Sequence, residues 1–346
     1  MKKEIFIGKV GIGGKNPVSI QSMTSTKTSD INSTLRQIKR LKKDGCDIIR
    51  IAIPDKSSLS SFKILTKTSP LPVIADIHFN SFLALKAIEY GAKGIRINPG
   101  NIKNKQKIKE IITLAGQYQI PIRIGINWGS IDKKKINPSK SNAENMVNNA
   151  IDHIKFFEDH NFNLIKISLK SSNIYDTVDA YTLMDQKCDY PLHLGITEAG
   201  TYFPGSIKSA IGIGALLLKG IGNTLRVSLT ANPVKEIKVA KEILKALGLL
   251  PGMIVISCPT CSRTIDNFIP FVIEIEKDLN KILLNKTLKV AIMGCEVNGP
   301  GEAKDADIGI AFSNNKGYIF KKSKIIDRVS PKDAKHVFLK YIKEMV

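Results

Sequence analysis

Arginine, tryptophan and long apolar runs are what this 346-residue sequence has least of. No apolar stretch approaches the roughly 20 residues that a membrane-spanning helix needs, so no membrane partner is expected. The opening Met1-Lys2-Lys3-Glu4-Ile5-Phe6-Ile7 is followed at once by Gly8 and Lys9, too short an apolar stretch for a secretory signal. A cytoplasmic protein is the expectation. Cysteine is scarce as well, occurring only at Cys46, Cys188, Cys258, Cys261 and Cys295. Without an export signal disulfides are not expected, and a close cysteine pair reads as metal or redox chemistry.

What abounds is lysine. Lys and Arg number 52 against 31 Asp and Glu, a formal charge of +21. Such an excess invites a nucleic-acid reading, but no RNA- or DNA-binding signature accompanies it. Lys, Asn and Ile share AT-rich codons, so composition accounts for most of the charge and no nucleic-acid partner is expected. Only eight of the 52 are arginine: Arg36, Arg40, Arg50, Arg96, Arg123, Arg226, Arg263 and Arg328. Lysine serves as a solvated surface charge, whereas arginine offers a planar fork for phosphate. The arginine positions are therefore informative.

Length and a 43% apolar content suit a soluble chain of one large and one small domain. A short β-branched run, a polar turn and a helical segment recur through the first 230 or so residues. The runs are 18–23, 47–53, 72–77, 94–98, 120–127, 164–169, 192–197 and 224–229, with amphipathic stretches such as 33–43, 82–90, 107–118, 143–158 and 206–219 between them. Eight such units in that length predict an α/β fold of the (β/α)8 TIM-barrel type, with a doubly wound sheet as the alternative. A last helix over 233–247 precedes Gly248-Leu249-Leu250-Pro251-Gly252, which reads as a helix stop and linker. The expected division is a barrel over 1–247 and a small α+β domain over 253–346. In the latter, strands are expected at 253–257, 288–293, 308–311 and 318–320, and helices at 267–284 and 331–343.

Polar residues sit two apart near several strand ends: Asp76 and His78, Arg96 and Asn98, Lys166 with Ser168 and Lys170, Arg226 and Ser228. Spacing by two puts them on one strand face. Inside a barrel such charges would lack partners unless they reach its open C-terminal mouth, where barrel active sites lie. With Arg123, four residues before Asn127, cations stand on four strands, which favours an anionic ligand over a set of internal ion pairs. Asp76 and His78 read as a hydrogen-bonding pair for a substrate before a metal site. The run Gly195-Ile196-Thr197-Glu198-Ala199-Gly200 places a carboxylate at the mouth, suited to proton transfer or to simple pairing with an arginine.

The strongest chemical signal is Cys258-Pro259-Thr260-Cys261 with Gly294-Cys295-Glu296-Val297-Asn298-Gly299-Pro300-Gly301-Glu302. Three thiols can converge on one metal centre, with a fourth ligand from Glu302, Cys46 or Cys188. Spacing alone does not separate an iron–sulfur cluster from zinc, although no histidine lies near either motif. Cys46 and Cys188 read as ordinary buried thiols.

Together with Gln21-Ser22-Met23-Thr24, Ala75-Asp76-Ile77-His78-Phe79, Arg96-Ile97-Asn98-Pro99-Gly100-Asn101-Ile102, Arg123-Ile124-Gly125 and Leu225-Arg226-Val227-Ser228, these motifs resemble the 4-hydroxy-3-methylbut-2-enyl diphosphate synthase family in collinear order over nearly the whole chain. The resemblance implies a TIM barrel followed by an iron–sulfur domain like the sulfite-reductase cluster domain. It implies a 4Fe–4S cluster on Cys258, Cys261, Cys295 and Glu302, and a cyclic diphosphate substrate, 2-C-methyl-D-erythritol 2,4-cyclodiphosphate. Flavodoxin or ferredoxin is the implied electron donor. Substrate contacts would fall on Arg50, Arg96, Asn98, Arg123, Asn127, Lys170, Arg226 and Ser228. Glu198 would protonate the departing hydroxyl, with Thr197 and Asn298 nearby. Two departures touch the loop after the fifth strand: Trp128 is bulky where the family has a small residue, and 131–141 is short.

A helix of about 15 residues spans roughly 22 Å and would return the chain to the barrel base before the linker. The cysteine domain is therefore expected to cap a second chain in a head-to-tail homodimer with composite sites, as the resemblance also implies. Two rival functions are a zinc-dependent, pteridine-type methyltransferase barrel and a basic RNA-binding protein.

Overall fold

The structure, a computed structural model, describes residues 1–77, 80–98, 102, 104–131, 133–282, 284–295, 303, 305–314, 316–322 and 324–346. The chain divides into two compact units, Met1–Ile243 and Leu244–Val346.

The first unit opens with a hairpin that the sequence pattern did not announce, β1 (Ile5–Ile7) and β2 (Val10–Ile12), each only three residues long. Eight parallel strands follow: β3 (Ser19–Met23), β4 (Ile48–Ala52), β5 (Val73–Asp76), β6 (Gly94–Ile97), β7 (Ile122–Asn127), β8 (Ile165–Lys170), β9 (His193–Leu194) and β10 (Thr224–Leu225). Their order is β8-β7-β6-β5-β4-β3-β10-β9. The Ile167–Leu192 bridge, with Ile167 N–H donating to Pro191 O at 2.9 Å, brings β8 back against β9. The result is a nearly closed barrel. The intervening helices are α1 (Ile31–Asp44), α2 (Leu59–Thr68), α3 (Ser81–Glu89), α4 (Lys105–Gln117), α5 (Asn142–Glu158), α6 (Ile174–Lys187), α7 (Tyr202–Leu218) and α8 (Pro233–Ala246).

Local chemistry sets the helix ends. Asp30 caps α1 by accepting from Ser33 N–H, and Gly45 ends it at φ 103°, beyond the reach of most side chains. Ser141 and Glu144 form a reciprocal capping box at α5. The strands β9 and β10 are shorter than the runs 192–197 and 224–229 suggest. Gly195 is the reason on the first of these: a Cβ there would lie 2.7 Å from both Arg226 O and Lys170 Nζ, so the ladder yields to a close crossing of backbone and amine.

The hairpin closes the N-terminal end of the barrel. Ile5, Ile7 and Ile12 pack with the inward-facing Ile48 and Ile74, with Val10 and Leu164 alongside. Gly94 leaves the room this needs, since a Cβ there would stand 3.0 Å from Ile7 Cδ1. Each isoleucine so buried contributes about 1.5–3 kcal/mol.

The second unit is a five-stranded sheet in the order β11 (Met253–Ser257), β12 (Leu288–Met293), β13 (Ile308–Ser313), β14 (Lys316–Lys321), β15 (Lys324–Val329). The first three strands run parallel and the last two antiparallel. β15 was not expected, because Lys321, Lys322 and Lys324 give 321–324 the look of a loop. Charge at a sheet edge instead discourages pairing with another chain. The helix α9 (Phe268–Leu279) ends at Asn280, short of the expected 284, and α10 (Ala334–Lys343) lies beside it. Lys335 Nζ ties the two, 2.8 Å from Glu274 and 3.2 Å from Asp278. Phe268, Ile275, Phe338 and Ile342 pack into the same apolar core as the inner strands. Among the described residues no helix is long and apolar enough to cross a membrane.

Candidate active site

Parallel register sets a row of charge across four neighbouring strands. Asp76 on β5 stands beside Arg96 on β6, Arg96 beside Arg123 on β7, and Arg123 beside Lys166 on β8. All four are buried. Asp76 accepts from Arg96 NH1 at 3.4 Å and forms an ion pair with Arg50, whose Nε is 3.7 Å away. Arg226 lies 3.5 Å from Glu236 on α8, whose carboxylate also receives Ser22 Oγ–H and Leu229 N–H. The Nε and NH1 of Arg123 and the Nζ of Lys166 have no hydrogen-bond partner among the described residues. Among the described residues cations outnumber carboxylates here, and because burying unpaired charge is costly, an anion would stabilise the arrangement.

The electrostatics carry the same message. Burial pulls the Arg50 guanidinium down to about 10, with Asp76 opposing and Arg226 and Arg96 adding to the fall. Burial, then the neighbouring guanidinia of Arg123 and Arg50, holds Lys170 well below the ordinary lysine range. A phosphate group would reverse both effects by supplying the missing negative charge.

Above the row lies a cavity of about 310 Å³ lined by Asn127, Trp128, Gly129, Ser130, Lys170, Ser171, Ser172, Thr197 and Glu198. Asn98 Nδ2 donates to Ser130 Oγ at 2.8 Å, fixing that wall. Glu198 is exposed and sits at φ 53°, a left-handed conformation unusual for a residue with a side chain. Ser228 is half-buried on the segment following β10. The barrel thus brings Asp76, Arg96, Asn98, Asn127, Lys170, Thr197, Glu198, Arg226 and Ser228 to the C-terminal side of its strands, with Arg50 midway along β4 and Arg123 deeper, the second residue of β7. His78 lies outside the described residues.

In the second unit, Cys258 follows β11 and Cys295 follows β12, at the same ends of paired parallel strands. The Gly294 N–H donates to Cys258 Sγ at 3.1 Å. A return loop lays Cys261 beside this point: Ile265 N–H bonds Gly294 O at 3.1 Å and Thr264 N–H bonds Cys261 O at 3.0 Å. The exposed Cys261 thiol is pulled below its usual range by the Arg263 backbone N–H. Asn298 and Glu302 lie outside the described residues. Among the described residues no group of three or more His, Cys, Asp or Glu side chains stands in metal-holding geometry.

Sequence reasoning left Lys166, Glu236, Ser130 and His193 out of the site. Lys166 shares the two-residue spacing of Lys170 and could have been included on that ground. Glu236 had a fainter signal, an acid in the first turn of the helix that follows the Arg226 strand. His193 and Ser130 belong to no motif.

The chain matches the GcpE TIM-barrel domain over residues 2–241 and the GcpE protein C-terminal domain over residues 254–344. It is similar to 4-hydroxy-3-methylbut-2-en-1-yl diphosphate synthase (flavodoxin) of Caldanaerobacter subterraneus subsp. tengcongensis, 51% identical over 100% of this chain and 98% of that protein. The protein of that name from Clostridium acetobutylicum is 50% identical, over 99% and 98% of the two chains. The one from Malacoplasma penetrans is 49% identical, over 96% and 91%. Among solved structures, the dihydropteroate synthase of Yersinia pestis superposes with a TM-score of 0.52 at 11% identity, covering 71% of this chain and 99% of that one. The Coxiella burnetii dihydropteroate synthase, in complex with pteroic acid, gives 0.51 at 12% identity over 71% and 97%. At such identity the likeness shows the barrel fold alone.

Proposed function

The chain belongs to the GcpE family, and from that premise we propose that it converts 2-C-methyl-D-erythritol 2,4-cyclodiphosphate into 4-hydroxy-3-methylbut-2-en-1-yl diphosphate in non-mevalonate isoprenoid synthesis. It is an oxidoreductase of the class acting on CH or CH2 groups, with flavodoxin as electron donor. The reaction opens a ring, breaks a C–O bond and takes up an electron pair and two protons, releasing water. Neither the zinc-dependent pteridine reading nor the RNA-binding reading finds support in the relatives.

The observation that carries the proposal is the buried row of Arg96, Arg123 and Lys166 under a polar cavity that holds Glu198. In this reading Arg50, Arg96, Arg123, Lys170 and Arg226 neutralise and orient the diphosphate, each charge-assisted bond contributing about 1.5–3 kcal/mol. Asp76 holds the Arg50 and Arg96 guanidinia in place, and His78 is assigned to the same substrate. Asn98, Asn127, Thr197 and Ser228 present hydrogen-bonding groups to the carbon skeleton's oxygens. Glu198, exposed at the cavity wall, delivers a proton to the departing hydroxyl.

Side chains cannot carry single electrons, and a 4Fe–4S cluster on Cys258, Cys261 and Cys295 would supply that transfer. The donor set fits such a group. Thiols are the donors that iron–sulfur clusters take: Cys258 and Cys295 follow the paired strands β11 and β12, Cys261 lies on the loop after β11, and the Gly294 N–H donates to Cys258 Sγ, as cluster sulfurs require. Glu302 as fourth ligand and Asn298 beside the substrate belong to the same proposal. Anaerobic purification, iron and sulfide analysis, and turnover with reduced flavodoxin test it together. Bound zinc without iron, or no diphosphate product, would sink it.

We assign the cysteine unit of one chain to the barrel of another, in a head-to-tail homodimer. A helix after a barrel strand runs back toward the strand's start, which leaves few residues before β11. Mixing inactive Glu198→Gln and Cys295→Ser chains should restore partial activity. Verified heterodimers with none would refute the arrangement.

A further inference from the structure

The floor of the barrel site holds a lysine to which the proposed reaction gives no task. Lys166 is 1% exposed and stands opposite Arg123 in the ladder. Its Nζ has no hydrogen-bond partner among the described residues. The ionisable groups facing it are Arg123 on β7, Arg50 on β4 and His193 on β9, with Lys170 further along its own strand. Among the described residues the nearby carboxylates are engaged elsewhere: Asp76 on β5 with Arg50 and Arg96, and Glu236 on α8 with Arg226. Beneath it lies the apolar plug of Ile5, Ile7, Ile48 and Ile74, with Leu164 beside it.

An ammonium in that place would be dry, uncompensated and crowded by guanidinia. Something must yield. Arginine keeps its proton throughout the physiological range, so the guanidinia do not. A primary amine does yield when burial and like charge both disfavour its cation. His193 is fully buried too, its Nδ1 3.5 Å from Thr224 Oγ1 and its Nε2 without a hydrogen-bond partner among the described residues. Imidazole is the weaker base, so the amine is the first of the two to regain a proton when negative charge arrives.

We infer that Lys166 stands as a neutral amine in the free barrel and becomes an ammonium when an anion of the phosphate class enters, so that anion binding draws a proton from solvent. Lys166 is in these terms a binding residue whose charge is made on demand. The inference rests on reading the barrel mouth as an anion site and adds a proton to it. No electrons move, and the proton comes from water or buffer.

The sign follows from linkage. In the free protein the unfolded chain holds a proton on this lysine that the folded chain lacks. Stability therefore rises with pH from the lowered value up to the ordinary lysine range and is flat beyond it. Through Lys166 the anion-bound form holds one proton more than the free form, which contributes a fall in affinity of about tenfold per pH unit across the same window.

The test uses the full chain and inorganic pyrophosphate, titrated calorimetrically in two buffers of different ionisation heat. The wild type should take up one proton more per pyrophosphate bound than Lys166→Met, since the ligand's own ionisation is common to both. Lys166→Met should also melt higher at neutral pH and with a weaker pH dependence. Equal proton counts in the two proteins would overturn this inference alone. Pyrophosphate that does not bind the wild type would overturn the anion site and this inference with it. Should neither Lys166→Met nor a second variant, Lys166→Leu, fold, the charge is compensated in the native state and the inference fails.

Discussion

Arg123 and Lys166 stand directly opposite each other on adjacent parallel strands, buried, with two guanidinium nitrogens and the amine unpartnered among the described residues. A fold seeking only stability would not place them so. Arg123→Met should therefore raise the melting temperature while lowering kcat/KM about 10- to 100-fold, the loss of a charge-assisted bond to a diphosphate. Paired thermal melts and steady-state kinetics check both signs at once.

Asp76→Asn should do the reverse for stability. It strips the counter-charge from Arg50 and Arg96, both within 4 Å of the carboxylate. Breaking a buried pair by removing one partner costs about 3–5 kcal/mol. Denaturant titration of the variant should show that loss, with little change in slope.

Trp128, the single tryptophan of the chain, lines the cavity beside Lys170 and Glu198. Its emission should shift when inorganic pyrophosphate or substrate enters, and saturate in step with binding measured by calorimetry. Trp128→Phe should abolish the signal and leave the melting temperature within a few degrees. A wild-type spectrum unmoved at saturating ligand would place the binding elsewhere.

The thiols differ in ionisation. Burial pushes Cys46 up to about 12, whereas a backbone N–H pulls the exposed Cys261 below its usual range. The thiolate is the nucleophile, so at mildly alkaline pH iodoacetamide should label Cys261 of iron-free protein first and Cys46 last. Mass spectrometry of tryptic peptides over a time course gives the order.

Gly195→Ala tests the crossing of β8, β9 and β10. The added methyl would meet Lys170 Nζ and Arg226 O at 2.7 Å. One of these must move, and the amine is the freer. A stability loss of about 1–3 kcal/mol and a larger drop in substrate affinity are expected, read from melts and from KM.

Much of this architecture was legible in the residues. The strands β11 and β12 fall where their β-branched runs end close to a cysteine, and the two-residue spacing of Arg96 with Asn98 marked a pair that the structure buries. Short range limited the rest. The hairpin β1 and β2 has three-residue strands that periodicity cannot register, and its stability comes from Ile48 and Ile74, far along the chain. The lysines of 321–324 mask β15, because charge on an edge strand looks like charge on a loop. Glu236 escaped notice since its meaning depends on Arg226 and Ser22 meeting it in space. The arginines assigned to the diphosphate stood out only because arginine is rare in this chain.

Among the described residues the plug of Ile5, Ile7 and Ile12 fills the N-terminal end of the barrel, so passage falls to the C-terminal mouth. Whatever enters must leave by the same opening, so product and incoming substrate compete for passage. Anything seated over that opening governs admission and exit together, and a slow step there would limit turnover however fast the bond breaking.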